Sequence, residues 1–298
     1  MRRPPRPYIS RMIVYLNGSY IPSEHAQLSA LDRGFVFGDG VYEVWRVVNG
    51  RLFEAERHRE RLERGLRDLR IGPPDGADAD GLRTIAERLL RENGLLDGHA
   101  TFYVQVTRGA APRTHQFPPG GTRPTIFAYT AALKSLEQDR RTGARAITRP
   151  DVRWLRCDIK TIQLLPNVLA KQAAVEAGAS EAIFVRDGIA TEGTHSNLFA
   201  VLNGELRTHP TNNLILPGVT RDVVLEVARE LSIPCREKAV IEAELRKVEE
   251  LFFTGTTTDV LPVVRVDDFT IGSGRPGPIA GALYEALVQR MEAVGAGV

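Results

Sequence analysis

Asparagine–glycine and aspartate–glycine pairs constrain the fold of this chain more than any other feature of its sequence. Four of them lie between short runs rich in Val, Ile, Leu, Phe and Tyr, at Asn17-Gly18, Asn49-Gly50, Asp187-Gly188 and Asn203-Gly204. Such a pair accepts the left-handed backbone of a two-residue turn and is the strongest short-range signal for a β-hairpin. The sequence therefore predicts antiparallel strands joined by tight turns.

Apolar residues recur at helical spacing in other parts of the chain, which makes it a mixed α/β protein. The predicted helices cover 55–70, 80–93, 167–177, 220–231, 241–250 and 279–294. A chain of 298 residues exceeds what one hydrophobic core usually holds, so we expect two domains.

The segment KSLEQDRRTG is polar, highly charged and ends in glycine, as is typical of a domain boundary. It predicts a small N-terminal α/β domain over 12–131, an interdomain linker over 132–143 and a large C-terminal domain over 144–298. Residues 1–11 are rich in Arg and Pro and are expected to form a flexible tail.

Composition excludes several classes of function. The net charge is only +2 and the basic residues are spread along the chain, which argues against a nucleic-acid partner. No apolar run approaches the ~20 residues that span a bilayer, so we expect a soluble protein acting on small molecules.

The two cysteines have no CxxC spacing and are expected to be packed thiols in a reducing, cytoplasmic compartment. The six histidines show no paired ligand spacing, so no catalytic metal is expected.

Lysine is rare in this chain, with five lysines among 39 basic residues, and two of them lie close together at Lys160 and Lys171. Alternation over 152–160 predicts a strand with one apolar face formed by Leu155, Cys157 and Ile159. Lys160 falls on the opposite face, which either meets solvent or lines a site. A desolvated lysine is suited to Schiff-base chemistry.

Lys171 lies in the predicted helix after Pro166, away from the apolar stripe of Leu165, Val168, Leu169 and Val175. Its expected partner is solvent or a neighbouring backbone group. Lys160 is therefore the better candidate nucleophile.

A series of short motifs resembles the D-amino-acid (D-alanine) aminotransferases, which belong to the class IV, or fold-type IV, pyridoxal-phosphate enzymes. In chain order they are FGDGVYEV, VTRG followed by PRTHQFP, RWLRCDIKT, VLAKQ, TEGTHSN, THPTNN, TRDVV and TTTDV. The resemblance runs from about Met12 nearly to the end. It implies an antiparallel-sheet N-terminal domain, a pseudo-barrel C-terminal domain, and pyridoxal 5′-phosphate bound by Lys160.

The same resemblance implies the other cofactor contacts. Glu192 would face the pyridine nitrogen, and Leu216 would pack behind the ring. Arg61, Val219, Thr220, Thr256 and Thr257 match segments that bind the phosphate, and a helix start at Thr220 is itself favourable for an anion. Thr194 and His195 stand where the D-amino-acid enzymes carry serines; Thr194 is still expected to contact the cofactor, while His195 is given no role.

For the substrate carboxylate the resemblance points to Tyr42, Arg113 and His115, since arginine offers two parallel donors to a carboxylate. In the family the Arg and His reach the active site from the neighbouring subunit, which implies a homodimer. The expected activity is transfer of the amino group of a D-amino acid such as D-alanine to a 2-oxo acid such as 2-oxoglutarate, with ping-pong kinetics.

Other activities on the same fold stay open at this stage. They are a branched-chain L-amino-acid aminotransferase, an (R)-selective amine transaminase, a 4-amino-4-deoxychorismate lyase and a non-enzymatic cofactor carrier. The paired Arg113 and His115 favour the D-specific enzymes over the branched-chain relatives.

Overall fold

The structure, a computed structural model, describes residues 12–119 and 121–296. The tail expected over 1–11 lies outside the described residues. Among the helices that are described, none is long and apolar enough to cross a membrane. The described chain divides into two compact units, and the first boundary between them falls between Leu133 and Lys134.

Among the described residues, the first unit comprises those up to Leu133, the short segment Ile159–Gln163 and those from Ala293 to Ala296. Its centre is an antiparallel sheet in the order β2-β1-β6-β5-β3-β4. The strands are β1 (Ile13–Leu16), β2 (Ser19–Pro22), β3 (Gly40–Val48), β4 (Arg51–Leu52), β5 (His99–Thr107) and β6 (Thr125–Ala132). The helices are α1 (Arg33–Phe37), α2 (Ala55–Asp68) and α3 (Ala79–Glu92), with a 3-10 turn at Ser23–His25.

The second unit comprises Lys134–Asp158 and Leu164–Glu292. Its strands are β7 (Ala144–Pro150), β8 (Glu181–Arg186), β9 (Ile189–Gly193), β10 (Asn197–Leu202), β11 (Glu205–Thr208), β12 (Cys235–Glu237), β13 (Val240–Ile241), β14 (Glu250–Gly255), β15 (Asp259–Val266) and β16 (Phe269–Thr270). Its helices are α4 (Glu137–Thr142), α5 (Leu165–Glu176), α6 (Val219–Glu230) and α7 (Pro278–Ala296).

The strands of the second unit close on themselves. The sheet runs β10-β14-β15-β7-β8-β9, and β10 pairs with β9 as well as with β14. In the described part of the chain these strands therefore form a closed ring, which confirms the expected pseudo-barrel. Strand β7 pairs in parallel with both β8 and β15, so the ring is mixed rather than purely antiparallel.

The four Asn-Gly and Asp-Gly pairs named above, each flanked by apolar runs, all form the predicted hairpins. They join β1 to β2, β3 to β4, β8 to β9 and β10 to β11. At each of them both turn residues have a positive φ, for example 48° at Asn17 and 95° at Gly18. This is the backbone of a type I′ turn, whose twist matches that of the flanking strands.

Each unit has its own apolar core. In the first unit, Trp45, Phe102 and Leu62 are fully buried where α2 and α3 cover one face of the sheet. In the second, Phe253 and Ile183 lie inside the closed ring. A side chain of this size contributes about 1.5–3 kcal/mol when it is fully buried.

Five of the six predicted helices are confirmed within about two residues, and one is wrong. The segment 241–250 forms the end of β13, a 3-10 helix over Glu242–Lys247 and the first residue of β14. Its Glu244 side chain accepts from the backbone N–H of Ile241, which closes a single turn. The predicted spacing therefore reflects one turn of helix between two short strands.

The strand predicted over 152–160 is also wrong. Residues 151–160 carry no strand, and their backbone groups bond instead to the loop around Asn213. Cys157 N donates to Asn213 O at 2.9 Å, and Leu155 O accepts from Asn213 Nδ2 at 3.0 Å. Cys157 and Ile159 are buried as expected, but Leu155 is 61% exposed.

Candidate active site

Lys160 lies in the short segment of the first unit that follows Asp158. Its carbonyl accepts from the backbone N–H of Tyr42 at 3.0 Å, and Thr161 forms a bridge with Val41. These contacts fix the lysine backbone beside strand β3. The Lys160 Nζ lies 4.2 Å from the centre of the Tyr42 ring, and the side chain is half-buried.

Lys171 has the ordinary role expected of it, since its Nζ donates to the backbone carbonyl of Ser180. The two cysteines are free thiols, as expected. Cys157 is buried and Cys235 is partly buried.

Arg61 lies on α2, one turn after His58, and both side chains meet Glu43 of β3. The Arg61 guanidinium donates to both carboxylate oxygens, over 2.8 and 2.7 Å, and His58 Nδ1 lies 3.1 Å from Oε1. Glu43 is fully buried, but the charges of Arg61 and His58 outweigh that burial and hold the pKa of Glu43 well below its usual range. Burial lowers the pKa of His58. The cluster holds a buried guanidinium rigidly on the first unit.

Arg113 and His115 lie on the loop between β5 and β6, and both side chains are exposed. They meet at one aromatic ring, that of Phe37 on α1. The Arg113 guanidinium lies 5.3 Å from the centre of that ring, and the His115 ring centre lies 5.6 Å from it. Two exposed side chains that can donate hydrogen bonds, Arg113 and His115, therefore contact the same aromatic ring. Tyr42, the third predicted residue, contacts Lys160 instead.

Glu192 is the last but one residue of β9 and is fully enclosed by donors of the second unit. Arg153 Nη1 donates to its Oε1 at 2.5 Å, Asn197 Nδ2 to its Oε2 at 3.1 Å, and the backbone N–H of Leu216 to Oε2 at 3.0 Å. Burial raises the pKa of Glu192 to about 7 even though the Arg153 charge opposes that shift. A cationic group placed beside this carboxyl would favour its ionised form.

Helix α6 begins at Val219, one residue before the predicted start, and its N-terminus has no side-chain cap. The preceding residue must be glycine, because a Cβ at Gly218 would lie 2.0 Å from Asn197 Oδ1. Asn197 thus donates a hydrogen bond to Glu192 and also packs directly against Gly218, the residue before α6. The first amides of an uncapped helix favour an anion.

Thr256 and Thr257 form the turn between β14 and β15, which is closed by Thr258 N donating to Gly255 O at 3.1 Å. The residue before this turn, Thr254, pairs with Asn197 across the sheet. In the described part of the chain the buried Thr254 hydroxyl has no hydrogen-bond partner. The uncapped start of α6 and the hydroxyl residues of this turn are groups whose chemistry fits a phosphate.

Thr194 and His195 form a third group with the buried Glu181 of β8. Thr194 Oγ1 donates to Glu181 Oε1 at 2.5 Å, and His195 Nδ1 lies 2.8 Å from Oε2. These contacts outweigh burial and lower the pKa of Glu181 to about 2. Thr194 is buried and His195 is 46% exposed, so the imidazole covers one side of a buried carboxylate.

Sequence analysis missed the partners that hold the predicted residues: Arg153, Asn197 and Glu43. One signal for Arg153 was present, since alternation over 152–160 puts this arginine on the same face as Leu155 and Cys157. An arginine on an apolar face predicts a buried ion pair. Glu43 carried the same kind of signal, because alternation in VYEVWRV puts this acid on one face with Val41 and Trp45. Asn197 carried no such signal.

The first unit therefore carries a half-buried lysine and a buried arginine, and the second a buried carboxyl beside a phosphate-type donor set. These features are typical of an enzyme that holds a phosphorylated cofactor through a lysine. The family model for Amino-transferase class IV matches residues 40–266. The chain belongs to the class IV aminotransferases, a family of pyridoxal-phosphate enzymes.

Individual relatives agree with this family. The chain is 44% identical over 276 residues to a D-alanine aminotransferase of Bacillus licheniformis, covering 93% of this chain and 96% of that protein. It is 40% identical over 274 residues to a D-alanine aminotransferase of Staphylococcus epidermidis, covering 92% and 96%. A solved T.th. branched-chain amino acid aminotransferase with pyridoxamine 5′-phosphate superimposes with a TM-score of 0.85 at 26% identity, over 95% of each chain.

Proposed function

We propose that this protein is a pyridoxal-phosphate-dependent transaminase that moves the amino group of a D-amino acid such as D-alanine to a 2-oxo acid such as 2-oxoglutarate. Similarity to two D-alanine aminotransferases at 44% and 40% identity supports this substrate class. The observation that carries the proposal is the meeting of two exposed side chains, Arg113 and His115, at the ring of Phe37. Such a pair is suited to a carboxylate.

The cofactor is held by residues that the resemblance assigns and whose chemistry fits it. Lys160 would bind it covalently, Glu192 would serve its ring nitrogen and Leu216 would pack against its ring. Arg61, the start of α6 at Val219 and Thr220, and Thr256 and Thr257 would hold its phosphate, with Thr194 as a further contact. When bound, the cofactor supplies a ring that accepts electrons from Cα and carries the amino group between the two substrates.

The protein's own groups then have separate tasks. Tyr42, Arg113 and His115 bind the carboxylate of the amino acid and orient its Cα. Once the amino group of the substrate has taken its place on the cofactor, the free Lys160 amine would remove the Cα proton and deliver it to the cofactor carbon that carried the bond to Lys160. Glu192, as a carboxylate, keeps the ring nitrogen protonated. Two half-reactions share these groups, so the kinetics are ping-pong.

A homodimer completes the site, with Arg113 and His115 serving the neighbouring subunit. In support, α5 buries only Ala170 and Ala174 against its own unit. On its other face Leu165, Val168 and Leu169 are 69%, 58% and 63% exposed. An apolar helix face of this kind is typical of a protein interface. The two free thiols support a reducing, cytoplasmic location.

Replacement of Arg113 by alanine tests the carboxylate assignment. The KM for D-alanine should rise about 10-fold or more, since a charge-assisted pair contributes about 1.5–3 kcal/mol. The cofactor should stay bound. Arg123→Ala is the matched control, because this arginine ends the same loop and is 81% exposed. A D-alanine KM that is unchanged in Arg113→Ala would refute the assignment.

Mixing two variants at a D-alanine concentration well below the wild-type KM tests the shared site, because Lys160→Ala should be inactive there and Arg113→Ala should keep about one tenth or less of the wild-type rate. Lys160→Ala keeps Arg113, and Arg113→Ala keeps Lys160. If Arg113 serves the neighbouring subunit, a mixed dimer contains one complete site, and random exchange restores about one quarter of the wild-type activity. Activity that stays at the sum of the separate variants would show that Arg113 does not act across a dimer.

A further inference from the structure

The loop that carries Arg113 and His115 is tied at its base to the start of α1. Arg33 N donates to Gly109 O at 2.9 Å, and Ala111 N donates to Leu31 O at 3.2 Å. The N-cap residue of α1, Asp32, also accepts from the Thr125 hydroxyl at 2.7 Å. Both ends of the loop are therefore held by the segment 31–33.

The loop is also held from its sides: Arg108 and Arg70 lie 3.8 and 4.7 Å from the centre of the Phe117 ring. The peptide between Arg113 and His115 is held by the side chain of Arg33. Its Nη1 donates to the carbonyl of Thr114 at 2.7 Å, and its Nε donates to Asp39 Oδ2 at 2.8 Å. The guanidinium lies 4.7 Å from the centre of the Phe37 ring and is 4% exposed. Thr114 stands between Arg113 and His115 in the sequence, so this bond fixes the peptide that joins them.

Asp39 is itself fixed from a second side. Arg108 donates to both of its oxygens, over 2.7 and 2.9 Å, and to the carbonyls of Leu69 and Arg70. Although burial alone would raise it, the two guanidinium groups lower the pKa of Asp39, so the carboxylate is a constant anchor at neutral pH. Arg33 therefore links the fixed carboxylate of Asp39 to the backbone of the loop at Thr114.

We propose that Arg33 is a positioning residue for the substrate carboxylate: it holds the Thr114 carbonyl so that Arg113 and His115 point to the same two oxygens. The inference rests on the proposed role of Arg113 and His115. Arginine is required because its planar fork donates in two fixed directions at once, to Asp39 and to Thr114. The single ammonium of lysine cannot reproduce both bonds at these distances.

Arg33→Lys is the direct test, measured by steady-state kinetics with D-alanine. We expect the KM to rise about 10-fold, with kcat changed less than about twofold, because misplaced donors weaken binding of the carboxylate without touching the reacting groups. The visible absorption of bound cofactor should be unchanged. A kcat loss without a KM change would overturn the inference.

Asn93→Ala is the control for lost stability. In the same unit it removes three hydrogen bonds, to the backbone of Ile13 and to the Thr130 hydroxyl, and these bonds do not involve the loop that carries Arg113. We expect a fall in Tm similar to that of Arg33→Lys with a KM change below about threefold. An equal rise in KM in both variants would mean that Arg33 acts only through general stability, and the inference would fail.

A double-mutant cycle separates this inference from the proposed function. If Arg33 acts through Arg113 and His115, adding Arg33→Lys to Arg113→Ala should raise the KM much less than Arg33→Lys does alone. Full additivity of the two effects contradicts the positioning role. If Arg113→Ala itself leaves KM unchanged, the carboxylate assignment fails first, and the cycle identifies that failure separately.

Discussion

Arg153 Nη1 donates to Glu192 Oε1 at 2.5 Å, and both side chains are almost fully buried. Arg153 also donates to both oxygens of Asp151, at 2.9 and 2.8 Å, so one guanidinium lies between two carboxylates. These two acidic partners raise the pKa of Arg153 although its burial opposes the shift. Glu192 thus has a cation of its own, while burial keeps its pKa near the neutral range. A further charge placed beside Glu192 can therefore change whether its carboxyl is protonated.

Glu192→Gln removes the charge and keeps the shape. A neutral amide cannot keep the ring nitrogen protonated, so we expect kcat for D-alanine to fall by about 10²–10³-fold, as for loss of one electrostatic group at a reacting centre. The visible band of cofactor on Lys160 should remain. Steady-state rates and absorption spectra measure both quantities, and a kcat within about threefold of wild type would contradict the role of Glu192.

Arg153→Met removes the cation between two buried carboxylates. Breaking a buried pair leaves an uncompensated charge, so we expect the free energy of unfolding to fall by about 3–5 kcal/mol. Urea unfolding followed by circular dichroism measures this change. Arg290→Met is the control, because its ion pairs with Glu226 and Glu230 are partly exposed and should contribute less than about 1 kcal/mol. Equal losses in both variants would contradict the account of Arg153.

Arg61→Gln tests phosphate binding by α2. Loss of a charge-assisted contact of about 1.5–3 kcal/mol should raise the Kd for pyridoxal phosphate about 10- to 100-fold. Equilibrium dialysis of folded, cofactor-free protein measures it. Because the change also removes the guanidinium partner of the buried Glu43 and leaves it, among the described residues, only His58 as a basic partner, Glu43→Gln/Arg61→Gln should show the same Kd with better stability. Arg67→Gln, on the same helix and 70% exposed, should bind the cofactor as wild type does.

Acid should remove the contribution of Glu181. Its folded pKa of about 2 lies below the usual value of 4.5, so the stability that it contributes is present above pH 4.5 and is lost as the pH falls toward 2. We expect the difference in unfolding free energy between wild type and Glu181→Gln to be largest above about pH 5 and to shrink on acidification. If the difference in unfolding free energy stays constant from about pH 7 to about pH 3, the charge of Glu181 does not contribute to stability.

The hairpins were predictable because their information is local. An Asn-Gly or Asp-Gly pair between two apolar runs specifies the backbone of a two-residue turn, whereas Asp80-Gly81, which lacks such flanks, lies inside α3. Helices α2, α3, α5 and α6 were predictable for a similar reason, since one face repeats at helical spacing. On α5 the apolar stripe is nevertheless exposed, and the small residues Ala170 and Ala174 face the core. Periodicity shows that a face is apolar but not what covers it.

The segment 152–160 shows where local information ends. Its alternation is real, since Cys157 and Ile159 are buried. Its backbone, however, bonds to residues around Asn213, as the pair Leu155 and Asn213 shows, 58 positions apart. No pattern within the segment indicates that pairing. The segment Glu242–Lys247 likewise has helical spacing, but the strands before and after it leave too few residues for more than a short 3-10 helix.

The site could be predicted only in part, and mainly by resemblance. The residues that would touch cofactor or substrate lie in short motifs, so they were named from the sequence. The groups that hold them, such as Asp39 for Arg33 or Asn197 for Glu192, are fixed by three-dimensional packing. Those supporting contacts determine how the named residues point, and only the structure reveals them.

The visible absorption of the purified protein, recorded before and after adding D-alanine and, separately, L-leucine, tests the central claim most directly. We predict that D-alanine removes the band of the lysine-bound cofactor and that L-leucine leaves it in place. Loss of the band with L-leucine alone would contradict the D-specific assignment and transfer the activity to branched-chain L-amino acids. In Lys160→Ala the band should be absent from the start.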